Sequence, residues 1–392
     1  MPNLLDYLET SQHDSFYDQP INRLDILALT ELSYLPFDHL VAYPFNLEQA
    51  CRLDELARAF KEQFSEGYPP LSMVTKERLT LLEKMSSSKR FKHIKAFGYV
   101  NDYNFELQKQ FAAICYQFLP QKFLTVFRGT DDTLIGWKED FYMSFMPEIP
   151  AQRSASRYLQ KLIKTLPGEY TIAGHSKGGN LAVYASSKQE HFLQEQITAV
   201  YSFDAPGLHE STLVSPGFNA IQDKLCTIIP QGSIVGLMLE PPKEAQIVKS
   251  NAIGFQQHIC FSWEIIGNDF KMVDQVTDDS LQLDQALKHW TSSLTSEELR
   301  QFFDLFFDAF IEAGIYRFSD ITVNTLDKLQ KINSLHKKRT PTERQLMDRI
   351  VRLLIETRFQ IWKDNQLQST VQRKEEFLHF LENLSLKNPK SD

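Results

Sequence analysis

The stretch "YTIAGHSKGGNLAVYAS", residues 170–186, places Ser176 inside a G-x-S-x-G pattern between a run that reads as a strand and one that reads as a helix. The bare pattern says little, because glycine and serine are common enough for a chain this long to hold roughly 0.1 accidental matches. Its surroundings say more. Upstream, "EYTIAG" is short, aromatic and β-branched and ends in glycine, which suits a central strand of a parallel sheet. Downstream, Leu181, Ala182, Ala185 and Ser186 recur about one turn apart with no proline, which suits a helix packed on that sheet. Gly174 and Gly178 then fall where side chains would collide as strand and helix cross. This is the context of a nucleophile elbow, with Ser176 as the candidate nucleophile; a plain glycine-rich turn is the alternative.

Whole-chain properties bound the answer. The 392 residues are 42% hydrophobic and 12% aromatic, enough for one large α/β domain with additional elements or for two domains. A formal net charge of -8 argues against a nucleic-acid partner, which calls for a concentrated basic excess. The N-terminus mixes acidic residues among its apolar ones and has neither a basic start nor an apolar core, so it does not read as a secretory signal. A cytoplasmic protein is expected. Cys51, Cys115, Cys226 and Cys260 are far apart and form no C-x-x-C pair, which favours reduced thiols over disulfides or zinc ligands. No apolar run approaches the ~18 residues of a membrane span.

The order of elements points to an α/β class. Helices are expected at 22–35, with Asn22 as cap, and at 53–64 and 76–85. Three strands follow, in "HIKAFGYVND", "KQFAAICYQFL" and "KFLTVFRGTD", then a helix at 153–166 that feeds the elbow strand. Beyond the elbow helix, "ITAVYSFDAPG" and "KLCTIIPQGS" read as two more strands, giving a mainly parallel sheet flanked by helices. From about 280 the pattern is helical. Thr295 with Glu298 and Thr340 with Glu343 are capping boxes, and the first of these helices stops at Gly314. The expected division is an α/β domain over 1–290, including the N-terminal helices, and a helical extension over 291–392 packed on or beside it. The basic segment 328–352 suits either peripheral contact with an anionic membrane or a solvated helical face, and the interleaved Glu343 and Asp348 favour the latter.

A serine hydroxyl needs a histidine to take its proton and a carboxylate to fix that histidine's tautomer. The order expected in this architecture is serine, acid, histidine. Of the histidines after Ser176, His191 falls on the elbow helix, His209 follows too soon after the presumed acid, and His289, His336 and His379 fall in the helical tail. His258 remains, in a loop after the last strand-like stretch, and is the candidate general base. Asp204 ends the strand after the elbow and is the candidate acid, since parallel strands present their C-terminal ends to one crevice. The alternative is an Asp-Ala-Pro-Gly turn in which Asp204 caps its own backbone. Asp269 and Asp274 come after His258 and break the order, and Asp223 precedes its strand. Oxyanion donors are expected from the backbone N–H of Lys177, which opens the elbow helix, and from the backbone N–H and hydroxyl of Thr130 in the loop after an early strand. His175 is expected to pack beside the site rather than act as base.

These residues also carry a resemblance. Phe127 to Thr130, Trp137 and Asp140, then Gly174, His175, Ser176, Gly178, Gly179 and Asn180, are similar to the two signature blocks of the class 3 (fungal-type) lipases. With "NLLDYLE", "ELSYLPFD", "FDAPG", "SIVGLML" and "QQHICFSW", the chain resembles, from residue 3 to roughly 320, an uncharacterised bacterial family of lipase-like α/β-hydrolases. The resemblance implies an α/β-hydrolase fold, Ser176 as nucleophile, Thr130 in the oxyanion hole and His258 as base; it implies no particular substrate. One departure stands out: Ser233 occupies the place of the class 3 catalytic aspartate, and a serine cannot serve as the carboxylate. Two functions are therefore expected as alternatives. One is a serine esterase or lipase-like hydrolase acting without metal or cofactor on a small-molecule or acyl-lipid ester; the other is a weak or inactive hydrolase fold kept as a binding or scaffold protein.

Overall fold

The structure is a computed structural model that describes residues 1–68, 75–104, 106–131, 133–240, 244–317, 325–357 and 360–361. Its N-terminal part holds α1 (Leu4–Ser11), α2 (Arg23–Leu32), β1 (Cys51–Arg52), α3 (Leu53–Gln63) and α4 (Thr75–Ser87). Helix α2 starts where the sequence places it, with the Asn22 side chain accepting from the Leu24 and Asp25 N–H groups. The sheet continues through β2 (Lys95–Asn104), β3 (Lys109–Leu119) and β4 (Lys122–Phe127), followed by α5 (Leu134–Tyr142) and α6 (Pro150–Thr165). Next come the elbow strand β5 (Glu169–His175), the elbow helix α7 (Lys177–Ser187), the short α8 (His191–Gln194) and β6 (Ile197–Phe203). Short helices α9 (Glu210–Leu213) and α10 (Pro216–Asn219) lead to β7 (Leu225–Pro230) and β8 (Gln246–Val248). After a small hairpin of β9 (Ile265–Ile266) and β10 (Asp269–Phe270) come β11 (Met272–Val273), α11 (Asp278–Ser292), α12 (Ser296–Glu312) and α13 (Thr325–Lys338).

Nine strands form one sheet in the order β1-β2-β3-β4-β5-β6-β7-β8-β11. From β4 to β8 every pairing is parallel, whereas β1 to β4 and the β8–β11 pair are antiparallel. The parallel half is the half that carries the elbow. Alternation along the strands explains the layers. Leu124 and Val126 of β4 join the core under the N-terminal helices, while Phe123 and Phe127 join the core under α6 and α7. A mostly parallel mixed sheet with helices on both faces, and a sharp strand-to-helix turn at its centre, is the α/β-hydrolase fold. The expected helices at 53–64, 76–85 and 153–166 and the strand of "KQFAAICYQFL" match elements to within a few residues, whereas the helix expected at 22–35 stops at Leu32 and the strand expected in "KFLTVFRGTD" stops at Phe127; β8 and the short β1, β9, β10 and β11 carried no readable signal.

A third apolar cluster joins α5 to the C-terminal helices. Leu134 packs with Trp290, Phe302, Phe303, Phe307 and Ile350, and Lys138 reaches Asp304 at 2.8 Å and Asp308 at 3.3 Å. The Thr295 capping box is formed, and Gly314 ends α12 with φ 81°, a conformation that favours glycine. The Thr340 hydroxyl and N–H both reach Glu343 at the start of a helix over 341–357. Residues 362–392, with His379, lie outside the described residues. No helix among the described residues is long and apolar enough to cross a membrane.

Candidate active site

Ser176 sits between β5 and α7 with φ 59° and ψ -137°, a conformation costly for any residue with a Cβ. Two close approaches fix that turn. A Cβ at Gly174 would lie 2.1 Å from the Gly178 carbonyl, and a Cβ at Gly178 would lie 2.1 Å from the carbonyl oxygen of Phe127. The glycines are what allow helix, elbow strand and the end of β4 to converge. The backbone N–H of Ser176 donates to Phe203 at 2.9 Å, tying the elbow to β6. Asn180 extends that tie: it accepts from Gln152 of α6 at 2.8 Å and donates to the carbonyl of Gly207 at 2.6 Å.

Asp204 follows β6 with φ 41° and is fully buried. Its Oδ2 accepts from His258 Nδ1 at 2.6 Å, and its Oδ1 accepts from the Ser233 hydroxyl and from the Gly236 N–H at 3.1 Å. The carboxylate therefore faces His258 and two donors of the loop after β7 rather than its own backbone. Ser233, buried and standing where the class 3 resemblance places an aspartate, holds the carboxylate from behind. The other carboxylates weighed from sequence lie elsewhere; Asp269, for example, pairs with Arg23.

His258 ends a 3-10 turn, Gly254–His258, that follows β8. Such turns hold their shape poorly through their own hydrogen bonds, and this one is fastened from outside. Gln257 Oε1 accepts from the Gly232 N–H at 2.9 Å, the Gln257 carbonyl accepts from Trp263 Nε1 at 2.8 Å, and the His258 carbonyl lies 3.0 Å from His175 Nε2. The rings of His175 and His258 are 4.5 Å apart and 30° from parallel. Among the described residues the Ser176 hydroxyl makes no hydrogen bond.

On the oxyanion side, Thr130 and Lys177 lie on segments that meet at Gly129, whose added Cβ would fall 3.0 Å from Ser176 Cβ. Lys177 opens α7, so its N–H has no partner within the helix. Its side chain is fully buried: Nζ reaches Gln110 Oε1 at 2.7 Å, Glu139 Oε2 at 3.0 Å and Asp140 Oδ1 at 3.6 Å. Burial works against the ammonium charge, and Glu139 and Asp140 outweigh it, raising the Lys177 pKa. The Thr130 hydroxyl donates to Asp140 Oδ2 at 2.5 Å. Burial pushes the Asp140 carboxyl up to about 6 against the pull of Lys177 and Thr130.

On the base side a second buried cluster comes from the N-terminal helices. Arg78 of α4 donates twice to Glu31 Oε2 of α2, at 3.0 and 2.9 Å, and Glu31 Oε1 lies 3.2 Å from His175 Nδ1. Burial alone would raise the Glu31 pKa, but Arg78 and His175 more than offset it and hold the carboxyl at about 2. His175 is pushed below its ordinary value by burial and by His258 beside it. Glu31, His175 and Cys260 bring three ligand-type atoms within 4.8 Å of one another. That set does not fit a divalent metal, because Arg78 already supplies the cation for Glu31 and burial keeps the Cys260 thiol protonated. Sequence reading missed Glu31, Tyr34, Arg78 and Glu139. The available signal was a charged residue inside an apolar run, as with Glu31 between Leu29 and Leu32.

Fold and site can now be set beside known proteins. A crystal structure of M37 lipase is similar at 15% identity over 55% of this chain and 69% of that one, with a TM-score of 0.35. Rhizomucor miehei lipase in its native propeptide complex is similar at 15% identity over 41% of this chain and 58% of that one, with a TM-score of 0.30. A deletion mutant of the same propeptide complex is similar at 13% identity over 59% of this chain and 69% of that one, with a TM-score of 0.33. No curated protein matches the chain. Residues 85–308, more than half of the chain and spanning β4, the elbow and the His258 turn, match the model of one family: the chain belongs to the Mbeg1-like family.

Proposed function

We propose that the protein is a serine hydrolase that cleaves a carboxylic ester through an acyl-enzyme on Ser176, with His258 as general base and Asp204 as the acid that orients it. The observation that carries this reading is the 2.6 Å contact between His258 Nδ1 and a fully buried Asp204 carboxylate, with the His258 ring 4.5 Å from that of His175, next in the chain to a serine held at φ 59° on an elbow. The carboxylate fixes the tautomer that leaves Nε2 free to accept the Ser176 proton, and it stabilises the imidazolium that results. The serine oxygen attacks the ester carbonyl, the proton passes to His258 Nε2, and the carbonyl oxygen takes the negative charge. Backbone N–H groups of Lys177 and Thr130 are the proposed donors to that oxyanion. His258 then protonates the leaving alcohol, and water repeats the sequence to release the acid. The likeness to class 3 lipases in "FRGTDDTLIGWKEDF" and "GHSKGGNLA" supports an ester or acyl-lipid substrate, and the free cysteines are compatible with a bacterial cytoplasm.

Labelling with a fluorophosphonate probe, followed by turnover of short- and long-chain esters, tests the reading. Ser176→Ala is expected to abolish labelling and lower turnover by about 10³ or more while leaving the thermal melt in place. A parent protein that neither labels nor hydrolyses any ester would instead support a binding or scaffold role.

A further inference from the structure

His175 is the neighbour of the proposed nucleophile, and the Nδ1 side of its ring faces Tyr34 and the N-terminal helix α2. Its Nε2 meets an oxygen that can only accept, the His258 carbonyl at 3.0 Å, so Nε2 carries the proton. In the neutral ring Nδ1 is then an acceptor, and the Tyr34 hydroxyl lies 3.3 Å from it. Glu31 Oε1 can only accept and stands 3.2 Å from the same nitrogen, so Glu31 favours a proton on Nδ1 as well, and Arg78 holds the other Glu31 oxygen. Arg78 also lies 3.8 Å from the centre of the Tyr34 ring. These groups thus line up from α4 through α2 and the end of β5 to the backbone of the proposed base.

We propose that His175 is a positioning residue for His258, and that Glu31, Tyr34 and Arg78 make the N-terminal helices part of the catalytic machinery rather than a cover for the sheet. This rests on the reading of Ser176 and His258 as nucleophile and base. The His258 turn has little of its own to hold it. It begins at Gly254, with φ 58° and nothing within 4 Å of an added Cβ, and Ile253 before it is 85% exposed. Fasteners on the inner side therefore decide where the ring sits. Asp204 fixes one nitrogen of the ring, but the direction of Nε2 also depends on the backbone from which the ring hangs, and the His175 N–H holds that backbone at the His258 carbonyl. A displacement of about 1 Å in a reacting group costs up to 10²-fold in rate, which is the scale at stake.

His175→Phe keeps a flat ring and removes the donor, whereas His175→Gln keeps an N–H donor at similar reach. The proposal expects His175→Phe to lower kcat by about 10- to 10²-fold at unchanged KM, and His175→Gln to recover most of the loss. A second readout needs no turnover. The proton between His258 and Asp204 gives a far-downfield NMR resonance, identified as the one absent from Asp204→Asn. It is expected to persist in His175→Gln and to move or vanish in His175→Phe. Should the parent fail to hydrolyse or label, the function reading falls, while the resonance still tests the positioning. Parent-like kcat and resonance in His175→Phe, or equal impairment in both variants, would overturn the proposal. If neither variant folds, Glu31→Gln decides: lower kcat at unchanged KM with a displaced resonance supports it, and parent-like values overturn it.

Discussion

Two buried ionic clusters flank Ser176, and they are built differently. In the Lys177 cluster, on the oxyanion side, the central carboxylate is closed. Glu139 Oε2 accepts from the Gln110 N–H at 3.0 Å as well as from Lys177, and its Oε1 accepts from the Ala151 N–H at 2.9 Å, so one carboxylate joins β3, α6 and α7. The Arg78 cluster on the base side is open. Glu31 Oε2 is paired with Arg78, while Oε1 has no hydrogen-bond donor among the described residues and faces His175. A closed cluster fastens elements together; an open one leaves a charge directed at a working group. Fully buried pairs add little net stability over an apolar core, so their worth lies in the arrangement they impose.

The comparison can be broken at its centre first. Asp204→Asn keeps the shape but reverses the hydrogen-bond sense toward His258 Nδ1, and turnover is expected to fall by about 10⁴ with the melt retained. A fully active variant would remove Asp204 from the mechanism and leave the base-side cluster with nothing to support. Next, Lys177→Met leaves two buried carboxylates without their cation, and removing one partner of a buried pair costs about 3–5 kcal/mol. Denaturant unfolding is the measurement. A loss below about 1 kcal/mol would show that the closed cluster is not a fastener.

The base-side cluster is tested by pH. The Glu31 carboxyl lies at about 2 in the folded chain against an ordinary 4.5, so its stabilisation is complete above about pH 4.5 and is lost as the pH falls toward 2. Glu31→Gln removes that dependence. The gap in melting temperature between parent and variant is therefore expected to narrow across this window, and a constant gap would contradict it. The smallest effect is expected on the oxyanion side. Because the Thr130 hydroxyl donates to Asp140, Thr130→Val loses one hydrogen bond, about 1 kcal/mol, and no more than about tenfold in turnover. A loss of about 10² to 10³ would mean that the hydroxyl turns to the oxyanion during reaction.

Much of this was legible from residue order. The elbow, its glycines, the strands on either side and the capping boxes of the C-terminal helices follow from periodicity and turn chemistry, which act over a few residues. The expected order of serine, acid and histidine singled out His258 and Asp204, and their side chains meet. What escaped was the company these residues keep. Ser233 reads as the loss of a carboxylate, and only the packing of the β7 loop against β6 turns it into a donor that holds Asp204. Nothing local names the partners that the Lys177 side chain, Glu31 and Arg78 find. Local pattern determined which element each residue joins and which face it takes. Whether a buried charge finds its counter-ion was decided by tertiary structure alone, because Glu31 meets Arg78 across 47 residues and His175 meets the His258 carbonyl across 83, and no periodicity reaches that far.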